Sequence, residues 1–291
     1  MILSVGEILI DSFKTLDTTS ICIGGAPFNV AVWAKRNGAR VGFVGRVGRD
    51  EYGSFIIENA DKYNLDRLEI IPLKGVATTV AQVSLDENAE RHFKFFRDNT
   101  ADYQFAIGSV DIEDFSPTIL HLGTLMLNEE MGRKFALDLL EMAKKTGVKI
   151  SIDVNFRDDL FESKSERNLA FKPFVNNADY LKMGLDEILD YTGESCLEKA
   201  IKNLKFKGVL FVTDGKNGSR VFLGEESALV PSENVKAVDT TGAGDAYWGC
   251  VLAQLDQMVE QGKILTLERL IDVAKKANLA GAEAVTRIGA I

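Results

Sequence analysis

Short apolar runs rich in β-branched residues, at 41–44, 119–122, 148–152 and 209–212, alternate along the chain with longer amphipathic stretches such as 29–37, 133–145 and 197–203. Runs of four or five apolar residues suit buried strands, and apolar positions recurring every three to four residues suit helices lying on a core. Repeated strand and helix alternation predicts an α/β protein of the doubly wound class, with a mainly parallel sheet covered by helices on both faces. Ligands of such folds gather beyond the carboxyl ends of the strands.

One segment breaks the rhythm. Residues 78–97 read as an alternating run, a polar turn (Asp86-Glu-Asn-Ala-Glu90) and a second run rich in aromatics, which predicts a β-hairpin and no crossover helix. A further strand-like piece at 20–23 precedes Gly24-Gly25. Together these pieces predict a small antiparallel sheet standing off the main layer as a lid, or an extra hairpin on the edge of the main sheet. The pattern fits both. No repeat, low-complexity tract or linker interrupts the chain, so 1–291 is expected to be one domain, with the small sheet drawn from about 10–23 and 77–104. The apolar start, residues 1–11, has no basic leader and contains Glu7. It predicts a first strand ending at Asp11, and no signal peptide.

Composition narrows the partners. The chain has 291 residues, 46% hydrophobic and 26% charged, enough for a large core. Its 34 basic residues against 43 acidic ones give a net charge of −9, which opposes a nucleic-acid or anionic-membrane footprint and leaves a small molecule as the natural partner. Cys22, Cys196 and Cys250 are far apart, with no CxxC pair and only His92 and His121 beside them. That usage predicts reduced packing thiols in a cytoplasmic protein and structural histidines.

The candidate chemistry lies near the C-terminus. Residues 235–238 read as a strand and 246–258 as a helix, so Asp239-Thr-Thr-Gly-Ala-Gly-Asp245 is the turn between them. Gly242 and Gly244 let backbone approach a ligand, and the amides that open the helix present the positive end of its dipole to an anion. Asp245 adds a carboxylate beside that anion, suited to deprotonating a hydroxyl that attacks a γ-phosphoryl group. The bland alternative makes Asp245 a helix cap. There is no GxxxxGK[ST], and Gly242-Ala-Gly-Asp-Ala-Tyr247 ends in Tyr where a dinucleotide fingerprint needs Gly, which disfavours a dehydrogenase.

Asp239-Thr-Thr-Gly-Ala-Gly-Asp-Ala and Gly24-Gly-Ala-Pro-Phe-Asn-Val-Ala31 together resemble the ribokinase (PfkB) family of carbohydrate kinases. Gly45-Arg-Val-Gly-Arg-Asp50, Asp153-Val-Asn-Phe-Arg157, Thr213-Asp-Gly-Lys-Asn-Gly218 and 277–290 extend the resemblance along the chain, most like the fructokinase branch. The resemblance implies a doubly wound core with a β-sheet lid, and fructose as leading substrate. It implies Asp245 as base, the amides of Gly242, Ala243 and Gly244 as anion hole, and Arg157 as a contact to the transferred phosphate. Asp11, Gly25 and Asn29 match sugar-binding positions, with Phe96 and Arg97 of the hairpin beside them. Lys182, Thr213, Gly215, Gly218 and Asn278 match segments around ATP. Glu187 is expected to reach Mg2+ through water, though Gly184 replaces the Asn of the family's Asn-x-x-Glu element. Asp239 and Thr241 resemble a loop for a monovalent cation such as K+, and two copies are expected to pair through the lid. The chain given stops soon after Gly289-Ala290, where such kinases usually carry a further segment.

The hairpin bears on the sugar. A 2-keto-3-deoxygluconate kinase must neutralise a carboxylate, whereas Phe93, Phe95 and Phe96 lack the hydroxyls of that branch's tyrosines and suit a neutral sugar, or simply the core of the small sheet. A sugar-binding protein without turnover is the other rival, and an intact Asp245 opposes it.

Overall fold

The computed structural model describes residues 1–14, 19–85 and 91–291. The chain opens with β1 (Ile2–Val5), then β2 (Leu9–Lys14) and β3 (Thr19–Gly24), followed by α1 (Ala26–Arg36), β4 (Val41–Gly48), α2 (Glu51–Ala60) and β5 (Arg67–Leu73). Next come β6 (Val80–Leu85) and β7 (Arg91–Phe96), a short α3 (Ile112–Phe115), β8 (Ile119–Leu122), α4 (Glu130–Thr146) and β9 (Lys149–Asp153). The remainder is α5 (Lys164–Asn177), β10 (Tyr180–Gly184), α6 (Leu185–Thr192), α7 (Leu197–Leu204), β11 (Val209–Thr213), β12 (Ser219–Leu223), β13 (Glu226–Val230), α8 (Ala243–Glu260) and α9 (Leu267–Ala284).

Among the described residues, nine strands form the main sheet in the order β13-β12-β11-β10-β9-β8-β1-β4-β5. Strands β5 to β11 of that order run parallel, and β12 and β13 continue it antiparallel. Side-chain alternation sends Ile119, Val209 and Phe211 to one face, with α1, α8 and α9, and Leu120, Leu122, Leu210 and Val212 to the other, with α4 and α5. β1 pairs with β4 on one side and β8 on the other, so the strand order reverses there and a crevice opens beyond its carboxyl end.

The hairpin belongs to a separate small sheet, ordered β3-β2-β6-β7. Two hairpins meet there through a parallel β2–β6 pair, so the sheet is mixed where an antiparallel one was expected. The polar turn at 86–90 and the side chains of His92 and Phe93 lie outside the described residues.

Two local expectations are corrected. The N-terminal run is two strands: it breaks at Gly6-Glu7, where a Cβ on Gly6 would lie 2.8 Å from Pro27 and 2.9 Å from the backbone of Gly123. Asp11 therefore sits inside β2, opposite Cys22 and Ala81, and not at the end of a main-sheet strand. Residues 235–238 form no strand; Val238 is 58% exposed and its amide bonds the carbonyl of Val285, tying the segment to the end of α9. His121 is buried with Nδ1 3.0 Å from Ser151 Oγ, and burial pushes it down to about 3, so it is a neutral packing residue. The cysteines are free thiols, Cys250 buried and the other two half-buried. No helix among the described residues is long and apolar enough to cross a membrane.

Candidate active site

The turn before α8 is shaped by Gly242 and Asp239. Gly242 has φ 75°, and a Cβ there would lie 2.5 Å from that of Ala290, so only glycine fits both the backbone and the space. Asp239, 2% exposed, accepts from the amide of Thr241 at 2.7 Å and of Gly289 at 3.0 Å, clamping the turn to the C-terminal segment. Gly242 itself is the N-cap residue. Asp245 does not cap the helix: its Oδ2 accepts from Asn29 Nδ2 at 2.8 Å, which joins the first turns of α1 and α8 across 216 positions of sequence. Burial holds the Asp245 carboxyl above its usual range, against the lowering effect of Asn29, Lys182 and Arg157.

Asp245 faces a cavity of about 310 Å³ between the strand ends of the main sheet and the small sheet. Asp11, Gly25, Asn29, Arg157, Lys182, Thr241, Gly242 and Gly244 all line it. Gly25 has φ 110°, and a Cβ there would press on the carbonyl of Glu7 at 2.5 Å, so the start of α1 is pinned against the β1–β2 junction. Asp11 is 7% exposed and is pushed up to about 7 by burial first, then by the charges of Asp245 and Asp239, with Arg157 opposing.

Two cations enter from the ends of β9 and β10. Asn155 takes a left-handed φ of 43° and its Oδ1 accepts from Arg157 Nη1 at 2.7 Å. No carboxylate among the described residues pairs with Arg157, which leaves the guanidinium available to an anion. Lys182 Nζ is 2.8 Å from both oxygens of Asp153 and 3.2 Å from where a Cβ on Gly244 would stand, beneath the glycine turn. Burial alone would favour a neutral lysine, but Asp153, and beyond it Glu187 and Asp245, outweigh it and keep the ammonium charged. Burial in turn pushes Asp153 up to about 6.

A second cavity, about 360 Å³, lies on the far side of the turn and brings together Thr213, Gly215, Gly218 and Asn278 with Ala243 and Gly244. Asn278 is buried and fully engaged, donating to the carbonyls of Val230 at 2.9 Å and Pro231 at 3.1 Å, so it shapes this wall through backbone. Thr240 and Gly244 line both cavities. The glycine turn is thus the partition between them, and a group transferred past it meets helix amides, two cations and a carboxylate.

Several expected residues stand elsewhere. Phe96 is 49% exposed and outside the cavity; strand alternation turns Phe95 inward instead. Arg97 is 9% exposed and also outside it, its Nε and Nη2 held by Asp102 at 2.7 and 2.6 Å. Lys182 lines the cavity with Asp11 and Asp245, and not the one with Thr213 and Asn278. Glu187 accepts from the amides of Phe156 at 2.9 Å and Gly184 at 2.6 Å, clasping the ends of β9 and β10. Each of its oxygens accepts one amide, which holds the carboxylate in place, and no group of three or more His, Cys, Asp or Glu among the described residues could cage a metal. Glu7, which no motif marks, also lines the cavity, together with Phe95 of the hairpin aromatics and Asn155 of the Asp153–Arg157 segment.

The doubly wound sheet thus carries two cavities that meet at a glycine turn, with the carboxylate of Asp245 in one of them. Residues 2–291 match the pfkB family carbohydrate kinase description, and the chain belongs to that family of ATP-dependent sugar kinases. It is 34% identical to "Probable fructokinase-2" of Arabidopsis thaliana, covering all of this chain and 92% of that one. A crystal structure of a double mutant of fructokinase from Vibrio cholerae O395, in its fructose-, ADP- and potassium-bound form, superposes with a TM-score of 0.89 at 28% identity over 99% of this chain and 93% of that one. The crystal structure of "a putative Ribokinase II" from E. coli in complex with ATP and Mg2+ gives a TM-score of 0.84 at 25% identity, over 99% of this chain and 94% of that one.

Proposed function

We propose that the protein phosphorylates the primary hydroxyl of fructose to give fructose 6-phosphate. The observation that carries this reading is the position of Asp245, hydrogen-bonded to Asn29 and set at the partition between the two cavities. Sugar occupies the cavity lined by Asp11, Gly25 and Asn29, and ATP the one lined by Thr213, Gly215, Gly218 and Asn278. Asp245 takes the proton as the hydroxyl oxygen attacks the γ-phosphorus, and the amides of Gly242, Ala243 and Gly244 hold the developing charge. Arg157 and Lys182 supply positive charge on the sugar side. Closure of the small sheet excludes water, which would otherwise accept the phosphoryl group. When bound, magnesium supplies charge neutralisation at the phosphates, with Glu187 its holder through water, and potassium would lie at the backbone around Asp239 and Thr241. Cytoplasmic residence and pairing of two copies through the small sheet belong to the same proposal.

A neutral sugar is favoured over 2-keto-3-deoxygluconate because the cations are committed. Arg97 is tied to Asp102 and Lys182 to Asp153, which leaves Arg157 for the phosphate and, among the described residues that line the cavity, no further cation for a sugar carboxylate. Phe95 brings an apolar ring to the same wall. An ADP-release assay across fructose, 2-keto-3-deoxygluconate, ribose and nucleosides tests this. Fructose should give the highest kcat/KM; preference for the acid sugar would overturn the substrate, and binding of sugar without ADP release would overturn the activity.

A further inference from the structure

Glu7 sits where the chain leaves β1 for β2, at the reversal of strand order, and it lines the cavity with Asp11 and Asn29. It is only 4% exposed, and its Oε2 is buried with no hydrogen-bond partner. That oxygen lies over Gly123, where a Cβ would be 2.6 Å away, so the glycine keeps room for it. Asn29 Oδ1, in the same wall, is likewise buried and unpartnered. A buried polar atom without a partner is costly, and an apolar residue at position 7 would avoid that cost. Two such atoms on residues that line one cavity point to partners brought by the ligand.

We propose that Glu7 is a sugar-binding, specificity-determining residue whose free Oε2 takes a hydroxyl of the bound sugar other than the one that Asp245 deprotonates. The proposal rests on the sugar-kinase reading above. Burial, over the lowering effect of its own backbone amide, pushes Glu7 up to about 8, with Asp102 adding to the rise and Arg97 and Arg157 opposing it. At neutral pH it is therefore mostly the uncharged acid, able both to donate to and accept from a hydroxyl. A glutamine has the same capacity and a methionine has none.

The test compares Glu7→Gln and Glu7→Met with the wild-type enzyme for fructose and ATP kinetics and for thermal unfolding. Glu7→Met should raise the fructose KM about tenfold or more, the worth of one hydrogen bond, while the ATP KM stays within about twofold. Its Tm should be unchanged or higher, because an unsatisfied carboxyl has been removed. Glu7→Gln should keep the fructose KM within about threefold of wild type. The proposal fails if Glu7→Met binds fructose like the wild type, or if both variants lose Tm together with sugar affinity, as a structural strut would. A wild-type enzyme that ignores fructose sinks the substrate assignment alone, and the same comparison then runs on whichever sugar releases ADP.

Discussion

Replacing Asp11 by Asn should stabilise the protein and cripple it at once. Asp11 is 7% exposed and has no donor or ion-pair partner among the described residues, so its charge is carried at a cost. Burial and the charges of Asp245 and Asp239 raise it from the ordinary 3.8 to about 7. Below pH ~4 the group is neutral folded and unfolded, and costs nothing. Between pH ~4 and ~7 the folded chain keeps a proton that the unfolded chain releases, so stability falls as pH rises. Above pH ~7 the full penalty stands: about three pKa units at about 1.4 kcal/mol each, an upper bound of ~4 kcal/mol. Asn has the same shape and no charge. Urea denaturation should show Asp11→Asn more stable than wild type by ~1–3 kcal/mol at pH 8 and nearly equal near pH 4, while kcat/KM for fructose drops by about 10- to 150-fold, the worth of a hydrogen bond to a charged group. A stability difference that does not change with pH, or a variant less stable than wild type at pH 8, would refute the reasoning.

Three further outcomes follow from the same geometry. With the proposed role of the Asp11 carboxylate in sugar binding, wild-type kcat/KM for fructose should fall about tenfold from pH 8 to pH 6, as a group near 7 is protonated, and Asp11→Asn should flatten that limb. Lys182→Met leaves Asp153 buried and unpaired, and should cost about 3–5 kcal/mol in denaturant unfolding at pH 8, less at pH 5 where Asp153 can accept a proton. Arg97→Met strips the buried Asp102 of its cation and should lower stability by a similar ~3–5 kcal/mol, with fructose KM changed less than about threefold in the folded fraction; a KM effect without a Tm effect would return Arg97 to the sugar.

What could be read from the chain was whatever local chemistry dictates. The turn at 239–245 was legible because a positive-φ glycine, close backbone approach and a carboxylate each demand a residue type in order. The hairpin of β6 and β7 was legible through its period of two. The break after β1 was not, because the chain is apolar on both sides of it, Ile2, Leu3 and Val5 before and Ile8, Leu9 and Ile10 after, and the turn depends on Pro27 and Gly123, remote in sequence. Phe95 and Phe96 are adjacent aromatics, and only the pairing of β7 with β6 decides which of them faces the cavity. Asp245 read alone was either base or cap; its bond to Asn29 removes the cap, and nothing local reports a contact across 216 positions. Arg97 looked available for the same reason, since Asp102 beside it could as well have faced water.

The proposed kinase activity turns on Asp245 as the base aimed at a sugar hydroxyl. Asp245→Asn preserves shape and can still accept from Asn29, so it removes the proton acceptor and little else. Isothermal titration of fructose and ATP alongside steady-state ADP release should show binding of both within about threefold of wild type and kcat lowered by about 10²- to 10⁴-fold. A variant that keeps kcat within tenfold of wild type would contradict it.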